Sequence, residues 1–235
     1  VSGKLLVSEV FGPTVQGEGP AAGRRCAFLR LGRCNLDCWW CDTRYSWDAD
    51  SFDLDAELAE LETAAVFAEL VKRCPELAVI TGGEPMLQRA ELAALVTLLV
   101  SGGTQVHIET NGTIPPGPKL SRAVQLFVIS PKLPSARVDQ RKAIRPLALG
   151  AYAELARHFR AVLKFVCTST ADVTDAAELA DEHGFARDRC WIMPEGTTPD
   201  AVAAGLRDLA DAAISAGMNL TGRTHVTVWG NERGR

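Results

Sequence analysis

The stretch "CNLDCWWCDT" (34–43) sets Cys34, Cys38 and Cys41 among two tryptophans, two aspartates and a threonine. Three thiols this close together cannot form sensible mutual disulfides, and the nearest histidine in the sequence is His107. The CxxxCxxC spacing has three readings. As thiolates the cysteines can occupy three corners of a 4Fe-4S cluster and leave one iron open to a ligand. A closed zinc site wants four Cys or His ligands, usually as two short pairs. Buried packing thiols would suit a less polar loop than one holding Asn35, Asp37, Asp42 and Thr43.

Outward from this loop, short β-rich runs recur: "CAFLRL" (26–31), "LAVIT" (77–81), "QVHIE" (105–109), "LFVIS" (126–130), "VLKFV" (162–166), "CWIMP" (190–194) and "HVTVW" (225–229). Most are nearly continuous apolar runs, which predicts strands covered on both faces in a parallel sheet. Between them, Leu54, Leu58, Leu61 and Phe67 fall near one face of a first helix, and Val202, Leu206 and Leu209 on one face of the last. The alternation predicts an α/β fold: a mostly parallel sheet with helices outside, wound as an open or partial (β/α) barrel. The chemically distinctive residues follow strands, in "RLGRCNLDC", "TGGEP", "ETNGT", "SPK", "KFVC", "MPEG" and "WGN". They therefore emerge at one edge of the sheet, where α/β folds build their sites.

The 235 residues are 47% hydrophobic and 23% charged with a net charge of −4, the balance of one globular domain spanning 1–235 and not of a basic nucleic-acid binder. The longest apolar stretch, "ELAALVTLLV" (91–100), is too short to cross a bilayer, and the start "VSGKLLVSEVFGPT" lacks the marks of a signal peptide. The expectation is a cytoplasmic protein without membrane or nucleic-acid partners. Seven cysteines fit a reducing compartment, with Cys26, Cys74, Cys167 and Cys190 as small buried hydrophobes. The segments "TIPPGPKL" (113–120) and "PKLPSARVDQRKAIRP" (131–146) read as loops.

The cysteine loop, followed after the next strand by "TGGEP" (81–85), resembles the signature of the radical S-adenosylmethionine (SAM) superfamily. The resemblance implies a 4Fe-4S cluster on Cys34, Cys38 and Cys41, with its open iron chelating the methionine part of SAM. It implies that Gly82 and Gly83 bring backbone close to the methionine amino group, with Glu84 or exposed carbonyls accepting from it. Trp40 would touch the adenine and Trp39 would shield the cluster. The opening "VFGPTVQGEGPAAGRRCAFLRLGRCNLDCWWCDT" (10–43) resembles, almost throughout, the 7-carboxy-7-deazaguanine synthase family, and the likeness continues through "ETNGT", "SPK", "KFV", "MPEG" and "HVTVWGNERGR".

That family contracts 6-carboxy-5,6,7,8-tetrahydropterin to 7-carboxy-7-deazaguanine, by hydrogen abstraction at carbon 6, ring contraction and loss of ammonia, on the route to queuosine. The implied substrate contacts are Gln16 and Glu18 for the guanidine-like pterin edge, Arg30 for the substrate carboxylate, and Thr81 and His225 for the pterin. Thr43 would ligate Mg2+ together with the substrate. Asn111 and Ser130 would meet the SAM carboxylate and ribose, with Lys132 and Glu195 at strand ends beside them. A flavodoxin or ferredoxin as electron donor and a homodimer complete the implied picture. Two other readings share parts of the pattern: an activating enzyme that makes a glycyl radical in a partner protein, and a non-catalytic zinc adaptor. Neither needs "QGEGP" together with Thr43. The segments 44–76 and 133–160 and the tail "NERGR" match no family feature.

Overall fold

The computed structural model describes residues 3–74 and 76–235; Val1 and Ser2, part of the amino-terminal stretch read above, lie outside it. The strands are β1 (Lys4–Val15), β2 (Arg25–Leu31), β3 (Ala59–Glu62), β4 (Leu77–Gly82), β5 (Gln105–Thr110), β6 (Leu126–Ile129), β7 (Ala161–Cys167), β8 (Cys190–Pro194) and β9 (Asn219–Leu220). All join one sheet in the order β3-β1-β2-β4-β5-β6-β7-β8-β9, with β3 and β9 at open edges. From β2 to β9 every pairing is parallel, while β1 runs antiparallel to both β2 and β3. The helices are α1 (Leu54–Glu57), α2 (Thr63–Arg73), α3 (Arg89–Ser101), α4 (Gly117–Ala123), α5 (Gln140–Ala143), α6 (Pro146–Arg157), α7 (Thr170–Glu182), α8 (Pro199–Ser215) and α9 (Thr224–Trp229).

The sheet has two unlike faces. Ala27, Leu29 and Leu31 of β2, Ala78 and Ile80 of β4, Val106 and Ile108 of β5, and Leu163 and Phe165 of β7 lie in the main core with the helices. The alternate residues face the other way. Near the strand starts these are apolar, with Cys26, Phe28, Leu77 and Val79 forming a second small core. Toward the strand ends they become Arg30, Thr81, Glu109 and Lys164, all of which border one cavity. A period of two thus separates helix packing from chemistry. The four scattered cysteines, Cys26, Cys74, Cys167 and Cys190, are buried in these cores, as expected of them.

The structure departs from the sequence reading in four places, for identifiable reasons. The "HVTVW" segment is helix α9, not a strand; the two residues of β9 take the last place in the sheet, and only Val226 of α9 is buried. Its β-branched composition is overridden by tertiary placement, which begins where the Thr224 amide donates to the Gly17 carbonyl at 2.9 Å. The expected first helix is divided. Asp53 caps α1 by accepting from the Asp55 amide, Leu58 is already extended, and Ala59–Glu62 pairs with Lys4–Val7 as an edge strand before α2 begins. Strand β1 itself escapes an apolar-run search because Gly12 and Pro13 interrupt it and two register shifts break its pairing with β2. The two expected loops each contain a short helix, α4 starting at Gly117 and α5 within 131–146.

The end of β4 passes directly over the exit of β2. A Cβ on Gly83 would stand 2.0 Å from the Arg33 carbonyl oxygen and 3.0 Å from Cys34 Cβ. Gly83 is therefore required for close backbone approach. Gly83→Ala should lower Tm by about 4–10 °C, since the obstacle is backbone and cannot swing aside. Thermal unfolding followed by circular dichroism measures this.

Candidate active site

A cavity of about 500 Å³ opens at the C-terminal edge of the parallel strands. Cys34, Cys38 and Cys41 all border it. Their loop is held from two sides. Leu36 and Cys38 pack with Ala136, Val138 and Ala143 of the segment after β6. On the other side, Asn35 donates to Thr113 Oγ1 at 2.9 Å and accepts from Asn111 Nδ2 at 2.9 Å, which ties the loop to the end of β5. Trp47 Nε1 points at Cys41 Sγ at 3.3 Å, and Thr43 Oγ1 lies 3.6 Å from the same sulfur. Burial pushes the Cys34 thiol up to about 12 and raises that of Cys38. Iron binding must therefore displace thiol protons.

The glycine turn closes the cavity beside this loop, and Gly82 and Gly83 both border the space. Glu84 does not, which corrects the expectation that its side chain reaches a ligand. It is 0% exposed, and its two oxygens accept from the Met86 amide (2.8 Å), Thr110 Oγ1 (2.7 Å) and the Asn111 amide (2.6 Å). Burial raises its carboxyl, opposed by these donors. Glu84 fastens the turn to β5 and leaves the turn's backbone to face the ligand space.

The opposite wall is a buried charge network. Glu18 Oε1 accepts from Arg223 Nε at 2.9 Å and Oε2 accepts from Lys164 Nζ. Arg223 also binds Asp42 and donates to the Gly196 carbonyl at 2.7 Å. Gln16 Nε2 donates to Glu109 at 3.0 Å, while its Oε1 accepts from the Glu18 amide. Burial opposes charge on Glu18, but Lys164, Arg223 and His225 overcome it and hold the carboxyl far below the usual range. Burial lowers the Lys164 pKa, and Glu109 and Glu18 more than restore it. His225 faces Glu18 at 3.9 Å and sits on Gly17, where an added Cβ would stand 1.9 Å from its Nδ1. Burial keeps this imidazole below its ordinary pKa. Arg30 sends Nε to Glu9 at 2.8 Å, and Tyr45 donates to the same oxygen at 2.6 Å.

The remaining expected residues, Trp40, Thr43, Thr81, Asn111, Ser130, Lys132 and Glu195, also line the cavity. Lys132 Nζ donates to Ser130 Oγ and its carbonyl oxygen, both at 2.9 Å, and stands 5.5 Å from the Trp40 ring centre. Trp40 Nε1 is buried without a partner among the described residues. Trp39 stands apart, half exposed on the outer side of the loop.

Sequence reading missed Lys164, Glu109, Asp42 and Arg223, although the first three sit inside quoted motifs as the polar members of alternating or loop runs. It also left the tail unassigned. Residues 231–235 form part of the cavity wall, with Arg233 bound to Glu57 at 2.8 Å and lying 3.9 Å from the Tyr45 ring centre. The tail's return across β1, with Arg233 facing Glu9, brings it here.

An open parallel sheet with three thiols and a glycine turn converging on a cavity at its C-terminal edge defines an α/β protein with a small-molecule site where such enzymes place their chemistry. The radical SAM superfamily profile matches residues 29–198. A 7-carboxy-7-deazaguanine synthase from Pyrobaculum aerophilum is 35% identical over 99% of this chain and 98% of its own length. One from Hyperthermus butylicus is 35% identical over 95% of this chain and 92% of its own, and one from Rhodopirellula baltica 32% over 98% and 88%. A crystal structure of QueE from Escherichia coli shares the fold at a TM-score of 0.71 and 24% identity, covering 94% of this chain and 95% of that one. This chain belongs to the 7-carboxy-7-deazaguanine synthase family of radical SAM enzymes. Membership in the superfamily implies a 4Fe-4S cluster and SAM. The residues present fit that pair: three thiols on one wall, a glycine turn against Cys34, and the unpartnered Trp40 N–H within the same cavity.

The charge network predicts a pH signature. Glu18 has a depressed folded pKa, so its stabilisation is complete above the unfolded carboxylate value of about 4.3 and is lost as pH falls toward the folded value. Glu18→Gln leaves Lys164 and Arg223 only Glu109 and Asp42 as carboxylate partners and should cost about 1–3 kcal/mol at pH 7. The Tm gap to the wild type should stay constant above about pH 5 and narrow below it.

Proposed function

We propose that this chain is a carbon–nitrogen lyase that converts 6-carboxy-5,6,7,8-tetrahydropterin to 7-carboxy-7-deazaguanine with release of ammonia. The observation that carries this reading is the joining, in one cavity, of the three-thiol wall to a buried wall of Glu18, Lys164, Arg223 and Arg30. A bicyclic substrate with a guanidine-like edge and a carboxylate needs both an anion and cations on the wall it meets. A carboxylate has about four lone-pair directions, so Glu18 can serve its two cations and still accept from the pterin edge. Arg30 gives Nε to Glu9 and keeps its terminal nitrogens for the substrate carboxylate. Thr81, paired in register with Arg30 across β2 and β4, adds a hydroxyl beside it. His225 and Gln16 complete that side.

On the other wall, Cys34, Cys38 and Cys41 would hold the cluster, and the Gly82–Gly83 backbone the methionine amino group. Asn111 and Ser130 would meet the carboxylate and ribose, Trp40 the adenine, with Lys132 fixing Ser130 in place. When bound, the cluster and SAM supply the one-electron cleavage chemistry that begins the reaction. The chain orients the two ligands against each other and excludes water. Thr43 would give one ligand to Mg2+, the substrate and waters supplying the rest. Seven free thiols suit a reducing compartment, here the cytoplasm.

The test is anaerobic reconstitution with iron and sulfide, then incubation with the carboxylated tetrahydropterin, SAM and a reductant. A deazapurine chromophore forming at the rate of substrate loss is the expected result, and its absence from a protein that still cleaves SAM rules the substrate out. Cys38→Ala should abolish both iron–sulfur absorption and 5′-deoxyadenosine formation. Thr43→Val should leave the unfolding free energy within about 0.5 kcal/mol of wild type, yet lower turnover by about tenfold or more and remove its response to Mg2+.

A further inference from the structure

The charge network occupies only part of the sheet face that carries it. His107 stands two residues before Glu109 in β5, and Val162 two before Lys164 in β7, so both share that face nearer the strand starts. A second hollow of about 230 Å³ opens there, at the N-terminal edge of the sheet, bordered by His107, Val162, Gln125, Phe159, Arg24 and Arg189. None of the residues lining it borders the cavity of the three thiols.

The charges of this hollow are unbalanced. Two guanidinium groups border it and, among the described residues, no carboxylate does, in a chain of net charge −4. Arg24 is paired with a neutral group, the Gln105 amide oxygen at 2.6 Å. Arg189 lies with its guanidinium carbon 5.1 Å from the Phe159 ring centre, and its Nε is buried without a partner among the described residues. Phe159, 74% exposed at φ 59°, puts its ring at the rim. His107 is 4% exposed, and its Nδ1 is likewise buried without a partner. Burial, reinforced by Arg24, brings this imidazole down to about 4, so at neutral pH it is an uncharged ring with one N–H to give. Buried polar groups left unpaired are costly, and two of them around one hollow call for a ligand rich in acceptors. Water would meet the hydrogen bonds but leave both cations unbalanced.

We propose that this hollow binds a small oxyanion, a phosphate or a carboxylate, held between Arg24 and Arg189 with His107 at its floor. A guanidinium presents paired N–H donors that match the oxygens of either anion. The site is separate from the reaction described above: it is entered from the opposite edge of the sheet and uses none of the same side chains. The two sources of such an anion differ in what they gain from Phe159. A flat aromatic carboxylate lies against the ring, whereas a phosphate draws only on the cations.

The test uses full-length, cluster-reconstituted protein in a phosphate-free buffer at low ionic strength, with inorganic phosphate and benzoate as separate probes. Isothermal titration should show saturable binding, and the double variant R24Q/R189Q should weaken Kd by about tenfold or more. K142Q, which removes an exposed charge outside the hollow, should leave Kd within about twofold of wild type. The side-chain signals of His107 in 1H–15N spectra should move along the same titration curve. Benzoate binding tighter than phosphate, with the gap closed by F159A, identifies an aromatic carboxylate as the ligand; phosphate binding tighter, with no change in F159A, identifies a phosphate. Absence of saturable binding of both probes up to about 10 mM overturns the proposal. An unchanged Kd in the double variant, or an equal loss in K142Q, also overturns it, because either result places the anion elsewhere. If the double variant does not fold, R24Q alone decides by the same Kd criterion, its side chain being exposed.

Discussion

The buried carboxylate of Glu84 is the constraint on which the site depends. It holds the Met86 and Asn111 amides and the Thr110 hydroxyl, and so joins the turn after β4 to the end of β5. Asn111 then reaches Asn35, and Asn35 reaches Thr113, so the same knot extends to the cysteine loop. Gly83 completes it by letting the turn rest on Arg33 and Cys34. Three separate strand ends are thereby locked to one another, and the thiols hang from that frame. A carboxylate so enclosed is stable only while each of its donors stays in place, which makes the turn a rigid support.

The second wall is organised by a different principle. Here opposite charges are buried together, with Glu18 between Lys164 and Arg223 and Asp42 beyond Arg223. Such networks contribute little net stability compared with apolar packing, because desolvation offsets most of the attraction. What they provide is a fixed pattern of charge in a water-poor space. The network also joins distant parts of the chain: Glu18 lies before β2, Lys164 in β7 and Arg223 just before α9.

The two walls differ in how they face outward. The charge network is bordered by strands and the returning tail, whereas the cysteine loop packs Leu36 and Cys38 on the segment of Ala136, Val138 and Ala143. The loop therefore has an inner side turned to ligands and an outer side turned to solvent.

The sequence by itself determined the α/β class, the placement of chemistry at strand ends and the cysteine and glycine motifs, because these depend on local spacing. Cysteines three and four positions apart share a loop, and most of the apolar runs between helical patterns are strands. Nearly every residue named from these motifs and from the family resemblance reaches the cavity, Glu84 and Trp39 being the exceptions. Tertiary structure decided what local spacing cannot express. Lys164 lies in an otherwise apolar strand, and only the fold brings Glu18, 146 residues away, opposite it. The tail 231–235 became a wall only through its return across the sheet, and "HVTVW" became a helix whose start is tied to the Gly17 carbonyl. The reason in each case is the same: propensity and periodicity act over a few residues, whereas ion pairing and strand order depend on which distant segments arrive together.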